Sequence, residues 1–444
     1  MAIGTESGKI KQKFNGFVHF KNAVKIERIG AVSHNGFVSV ITYNKIIKAN
    51  MTKRFRWFRK KSVDKDYFAY AILKSSQGPT VDSGIKLHPD NLFYEYIVGQ
   101  YLNEQNKRFP CFLETYGYYN YEDDETWNEM QKEKKPVELL KNLRLILGSN
   151  TDTDTDFDYA FACANPKHLA ILVQYFKNPM SLQKYIDSNN NLELDELTYI
   201  LFQIYYTLAA LSENFTHYDL HYNNVLLYEP ENGKYIEYHY HYKNENGIDE
   251  VITFKSKYMV KIIDYGRCYF NFSESLNSET VHKELCQVNE CKPECGWRQG
   301  FHYYKNNNNI DLLILAIVYD EIQSPYYQIK FGHYTYYKKM IKNLLEKVKW
   351  HDIYKIQKPP NNLPDDINNV NEAFNELVEL IRWKEEGVPY RTLANKKTMK
   401  TVKPVKTYCE QRNETRYEDM EKMGDLHVYN DGREMEYIST YATI

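Results

Sequence analysis

The chain has 444 residues, 57 of them basic and 59 acidic for a formal net charge of −2, and 43% of it is apolar. That length supports two domains, or one large two-part unit, around a sizeable core, and the near-neutral charge removes the electrostatic argument for a nucleic-acid or anionic-membrane partner. No run approaches the ~18–20 apolar residues of a membrane span, the opening MAIGTESGKIKQKF lacks a signal-peptide core, and seven cysteines without regular pairing fit a reducing compartment.

A soluble, globular, intracellular protein is therefore expected. From Gly16 to Asn44 short apolar runs alternate with turn residues (GFVHF, AVKIERIG, HNGFVSVITY), which predicts a β-meander. A basic stretch from Lys53 to Lys61, containing RFRWFRKK, leads into YFAYAILKSS, where Phe68, Tyr70, Ile72 and Lys74 alternate onto one strand face. In HPDNLFYEYIVGQYLNEQ, Asp90 is placed to cap a helix on which Leu92, Phe93, Tyr96, Ile97 and Tyr101 recur at helical spacing. After a strand signal in FPCFLETYGYY the chain turns acidic and irregular from Asn120 to about Lys167, and includes TDTDTDFD at 151–158. That segment reads as a surface insertion, although NLRLILG inside it suits a strand. HLAILVQYF is apolar enough for a buried strand.

From Asp195 to Phe215 the period changes. Leu197, Ile200, Leu201, Ile204, Leu208 and Leu211 mark a strong helix with Asp195 as its N-cap. Two β-rich runs follow, YIEYHYHY and VITFKSKYMVKIID, separated by the turn-prone NENG, and their tyrosines read as half-buried sheet residues. Helical patterns return near 311–320, 337–348 and 367–384, and a hairpin-like HVYNDGREMEY lies in the polar last 60 residues. The fold class expected is α+β, with strands dominating the first 178 residues and helices much of the rest.

The stretch richest in chemistry is His217-Tyr218-Asp219-Leu220-His221-Tyr222-Asn223-Asn224, with KIIDYG carrying Asp264 forty residues after Asn224. It offers a carboxylate on a loop after a helix, an amide five residues on, and a second carboxylate at the end of an apolar strand. Phosphoryl transfer from Mg-ATP needs those groups: one carboxylate orients the attacking hydroxyl and takes its proton, while an amide and another carboxylate hold Mg²⁺ against the phosphates. Lys74, at the end of AILK, suits the grip on phosphate oxygens, and Glu95, 21 residues later on the next helix, suits the ion-pair partner that fixes its rotamer. Gly30 and Gly36, in IGAVSHNGFV, lie where a phosphate-cradling loop belongs, though two glycines at that spacing also make a simple turn.

These motifs resemble the protein-kinase superfamily, and within it the haspin-like serine/threonine kinases of large nucleocytoplasmic DNA viruses. HYDLHYNNVLL is similar to the haspin-type catalytic loop, and IIDYG to its metal-binding D-Y-T with glycine in place of threonine. The 41 tyrosines, with abundant Asn, Lys and Ile, suit an AT-rich genome of that kind. The resemblance runs over about residues 25–384 and is strongest at 170–270. It implies a bilobal fold: a β-rich lobe over 1–178 with the acidic insertion near 120–167, a mainly helical lobe over 179–384 with a β-hairpin insertion near 230–257, and a tail over 385–444. It also implies ATP and a protein substrate as partners, and a host cytoplasmic or virion location.

By the same resemblance Asp219 is the catalytic base, Asn224 and Asp264 hold Mg²⁺, Lys74 and Glu95 position the phosphates, and Gln174 and Tyr175 flank the nucleotide. His221 neutralises charge on the transferring group. Tyr218 stands where many kinases carry the arginine that binds an activation-loop phosphate, so activity independent of such phosphorylation is expected. Ile72 stands where a small alanine usually roofs the adenine, and no A-P-E sequence follows. Two alternatives stay open: a small-molecule kinase of the choline or aminoglycoside type, and a pseudokinase binding module. Cys286, Cys291 and Cys295, flanked by His282 and His302, offer soft ligands for Zn²⁺ or are simply neighbouring reduced thiols. His239 and His241 share a strand face and could bind metal, and RFRWFRKK could contact nucleic acid, but solvated strand histidines and a solvated strand and turn are the commoner outcomes.

Overall fold

A computed structural model of the chain describes residues 17, 20–33, 36–50, 62–76, 80–82, 85–87, 92–148, 168–188, 194–244, 246–274, 276–287, 306–323, 335–350, 366–385 and 417–440. The architecture is mixed α+β. Its first part follows from strict alternation along three long strands, β1 (Ala23–Ser33), β2 (Gly36–Asn50) and β3 (Ser62–Ser76). On β2 Phe37, Ser39, Ile41 and Tyr43 are buried, and on β3 Ala69, Ala71, Leu73 and Ser75. The intervening residues of each strand turn to the opposite face, as the two-residue period requires. A small ladder, β4 (Thr80–Asp82) with β5 (Ile85–Leu87), precedes helix α1 (Leu92–Gln105). Then come β6 (Thr115–Tyr121), α2 (Asp124–Met130), a 3-10 turn Val137–Asn142, β7 (Leu143–Gly148) and β8 (Leu169–Gln174).

Six of these strands make one antiparallel sheet in the order β1-β2-β3-β8-β6-β7. Each of its faces is covered in part, while Ile46 of β2 and Phe68 and Tyr70 of β3 stay exposed. Helix α1 is buried nearly all round and packs Phe93, Tyr96 and Ile97 with Tyr118, Leu169 and Ile171. On the other face Phe37, Ile41, Leu73, Tyr119 and Leu172 meet Trp127, Met130 and Leu140. The segment expected to be a surface insertion is thus, over 122–148, part of the sheet and its cover: Trp127 also donates through Nε1 to the Ser76 carbonyl at 3.0 Å. Residues 149–167, with TDTDTDFD, lie outside the described residues, as do Asp90 and the basic run 53–61.

The remainder is built around α4. After β9 (Met180–Ser181) and α3 (Leu182–Ser188), α4 (Leu194–Ala210) carries its expected apolar stripe, with Asp195 inside the first turn rather than capping it. Strands β10 (Phe215–Thr216), β11 (Val225–Tyr228), β12 (Lys234–Lys243), β13 (Asp249–Ser256), β14 (Met259–Ile262) and β15 (Tyr269–Phe270) follow. Helices α5 (Ser278–Gln287), α6 (Leu313–Gln323), α7 (Thr335–Glu346) and α8 (Val370–Glu385) precede β16 (Glu421–Tyr429) and β17 (Glu436–Ser439). β14, β11 and β9 form a three-stranded sheet, and β15 pairs with β10.

The two expected hairpins, β12–β13 and β16–β17, are present, but they join into one four-stranded sheet β13-β12-β16-β17 that was not expected. Strand β16, from the polar tail, lies parallel to β12. Tyr238 and Tyr240 of β12 are fully buried rather than half-buried, and stack on Phe254. Among the described residues, no helix is long and apolar enough to cross a membrane.

Candidate functional site

Lys74 lies near the end of β3, between Val38 of β2 and Ile171 of β8. The pleat that buries Leu73 and Ser75 turns Ile72 and Lys74 together to the other, half-buried face. There α1 presents Glu95 from its first turn, and Lys74 Nζ donates to Glu95 Oε2 at 2.6 Å. It also donates to Asp264 Oδ1 at 2.8 Å, across 190 residues of sequence. Burial pulls the Lys74 ammonium down, but Asp264 and Glu95 together outweigh it and hold the group far above the usual lysine range. Lys74 in turn holds the largely buried Asp264 below the usual carboxylate range.

Asp264 follows β14 with φ at 70° and Tyr218 has φ at 63°, a left-handed backbone that only a well-braced site sustains in these residues. The braces are visible. Tyr265 Oη donates to the Ile262 carbonyl at 2.6 Å and accepts the Leu113 N–H at 3.1 Å. The N–H groups of His217 and Tyr218 donate to the two oxygens of Asp311 at 2.7 and 2.9 Å. Asp311, just before α6, is fully enclosed, and burial pushes its carboxyl up to about 7.

The loop holding Asp219 is cross-linked to the segment after β14 that carries Asp264. His217 Nδ1 accepts the Asp219 N–H at 3.3 Å, which leaves Nε2–H to donate to the Ile263 carbonyl at 3.0 Å. Asn224 Nδ2 donates to the Asp219 carbonyl at 2.9 Å, and its own carbonyl accepts the Ile263 N–H at 3.0 Å. The amide thereby keeps Oδ1 as its oxygen donor. Asp219, with its carboxylate about a quarter exposed, pairs with Arg267 Nη1 at 3.2 Å. His221 takes part mainly through its backbone, and its Nδ1 accepts the Asn223 N–H at 3.2 Å.

The structure thus brings Lys74, Glu95 and Asp264 into direct contact, and ties Asp219 and Asn224 to the same strand end. Gln174 is bonded to Glu114: its Oε1 accepts the Glu114 N–H, and its backbone N–H donates to the Glu114 carbonyl. Tyr175 packs on Tyr70 with ring centroids 5.3 Å apart. Gly30 is exposed at an irregularity of the β1–β2 hairpin. Gly36 has a different reason to be glycine, since a Cβ there would lie 1.9 Å from the Ser75 carbonyl oxygen. Cys291, Cys295 and His302 lie outside the described residues, as does the side chain of Cys286 on α5.

Two participants are not assigned to the site from the sequence, although Asp311 stands at the opening of an expected apolar helix. Arg267 is an isolated basic residue after a turn, and Asp311 acts on backbone groups more than ninety positions away. Chemically the group combines an ammonium for anions with carboxylate and amide oxygens of the kind that hold hard divalent cations. No family model matches the chain, and no curated protein matches its sequence.

Proposed function

We propose that the chain is an ATP-dependent protein kinase with a bilobal, haspin-like fold that transfers the γ-phosphoryl group to serine or threonine of a protein substrate. The observation that carries this reading is the Lys74 ammonium held between Glu95 of α1 and Asp264 after β14. A lysine fixed by a helical glutamate and adjoining a carboxylate on a braced turn is the arrangement that phosphate positioning requires.

Under this reading ATP lies between the six-stranded sheet and the 217–224 loop, against the face that carries Ile72 and Lys74. Lys74 aligns its phosphate oxygens. Asp219 Oδ atoms receive the proton of the acceptor hydroxyl, and Arg267 orients that carboxylate until a substrate competes for it. The residues present suit Mg²⁺, since Asn224 just before β11 and Asp264 just after β14 supply hard oxygen donors at one end of that strand pair, and an ion held there would neutralise phosphate charge. His217, neutral through burial, keeps the Asp219 backbone at a fixed distance from Ile263.

The test is transfer of labelled γ-phosphate to a generic protein acceptor by wild type, Lys74→Ala and Asp219→Ala. Each substitution is expected to lower the rate at least ~100-fold. Equal incorporation by all three proteins would overturn the assignment.

A further inference from the structure

A second cluster of ligating side chains lies away from this site, on the seam between the tail strand and the hairpin. The parallel register of β12 and β16 sets Glu237 opposite Asp425 and His239 opposite His427. Paired residues share a sheet face, so Glu-x-His on one strand and Asp-x-His on the other form a two-by-two block. No contiguous motif encodes it, because its halves are 186 residues apart.

His239 Nε2 lies 2.9 Å from Asp425 Oδ1 and 3.8 Å from Glu237 Oε1. One ligand atom from each of the three residues falls within 4.8 Å of the other two. A tetrahedral Zn²⁺ with bonds near 2.0–2.1 Å sets its ligand atoms about 3.3 Å apart, inside that spread. The other imidazole nitrogen, Nδ1, lies 3.3 Å from Thr253 Oγ1 on β13, an outer contact of the kind that fixes ring orientation in metal sites. The His427 ring stacks on His239 at 4.4 Å and walls one side. Lys422 Nζ already bridges Glu237 Oε2 at 2.9 Å and Asp425 Oδ1 at 2.7 Å. The two carboxylates are thus arranged around a cation.

We propose that Glu237, His239 and Asp425 form a Zn²⁺ site that clamps the tail strand to the hairpin, with the Lys422 ammonium as its built-in competitor. An imidazole with two carboxylates suits Zn²⁺ better than Mg²⁺, which prefers oxygen alone. The inference does not depend on the kinase reading.

Calorimetric titration of Zn²⁺ into the full chain, with Co²⁺ absorbance as the spectroscopic probe, tests it. Wild type is expected to show one saturable site whose Co²⁺ spectrum lacks the intense thiolate bands that a cysteine site would give. His239→Ala and Asp425→Asn should each weaken binding at least ~10-fold. Lys422→Met keeps all three ligands and removes the competitor, so it should bind several-fold tighter and gain more thermal stability from added Zn²⁺. Absence of saturable binding in Lys422→Met, thiolate bands only, or an affinity indifferent to both His239→Ala and Lys422→Met would overturn the proposal.

Discussion

Asp311 shows how a single buried acid can set the geometry of a distant loop. Its two oxygens take the N–H groups of His217 and Tyr218, the second of which has left-handed backbone. Burial raises its pKa to about 7 from an ordinary 3.8, so the folded protein binds more protons than the unfolded chain between those values. Stability contributed by the neutral acid is present at low pH and is lost as pH rises through about 7, with an upper limit of about 4 kcal/mol. Asp311→Asn removes the titration but leaves one of the two N–H groups facing an amide donor. It is therefore expected to destabilise the protein more at about pH 5 than at about pH 8, as read by denaturant unfolding at both. A penalty independent of pH would contradict this. Neither Asp311 nor Arg267 was legible in this role, since their partners are a backbone segment and a carboxylate that only the fold brings near. Lys74 and Glu95 were legible only beside the motifs at 217–224 and 264, since taken singly a strand-end lysine and a first-turn glutamate read as surface residues.

Helix α2 and the turn after it show why composition misleads at the scale of elements. Between Glu122 and Pro136 the sequence is rich in Asp, Glu and Lys, with Trp127 and Met130 its only large apolar residues. Yet Trp127 and Met130 sit three apart on one helical face, and Leu140 and Leu143 follow, all of them buried against the sheet. Asp123 caps the helix by accepting the Thr126 N–H at 2.6 Å. A few large side chains are enough to dock an otherwise polar segment. Trp127→Ala should therefore cost about 3–5 kcal/mol, as a core truncation does, and chemical denaturation would measure it. A loss below about 1 kcal/mol would return the segment to the surface. Strands β3, β8, β12 and β13 were legible because alternation or unbroken apolar runs mark them. The pairing of β16 with β12 was not, since nothing in a polar hairpin names a partner beyond itself.

At the scale of the whole molecule, the tail strand joins parts of the chain that local pattern keeps separate. Leu426 and Val428 are fully buried, and Tyr206 of α4 donates to the His241 and Val428 carbonyls on adjacent strands at 2.6 and 3.2 Å. Tyr417 Oη donates to Glu196 Oε2 at 3.0 Å, beneath the same sheet. Among the described residues, the largest fully buried side chains are all tyrosines, so the tyrosine excess also supplies core volume with a hydroxyl that can reach a backbone carbonyl. Removing residues 417–444 would uncover the β12 edge and the tyrosines behind it. The shortened protein is expected to melt at lower temperature and to associate with rising concentration in light scattering. An unchanged melting temperature in a monodisperse sample would contradict that. The parallel β12–β16 ladder also has a consequence in time. Its partners are 186 residues apart, so on a ribosome adding ~5–20 residues per second, β12 waits roughly 10–40 s for its neighbour. During synthesis one edge of that tyrosine-lined strand stays unpaired until the tail emerges.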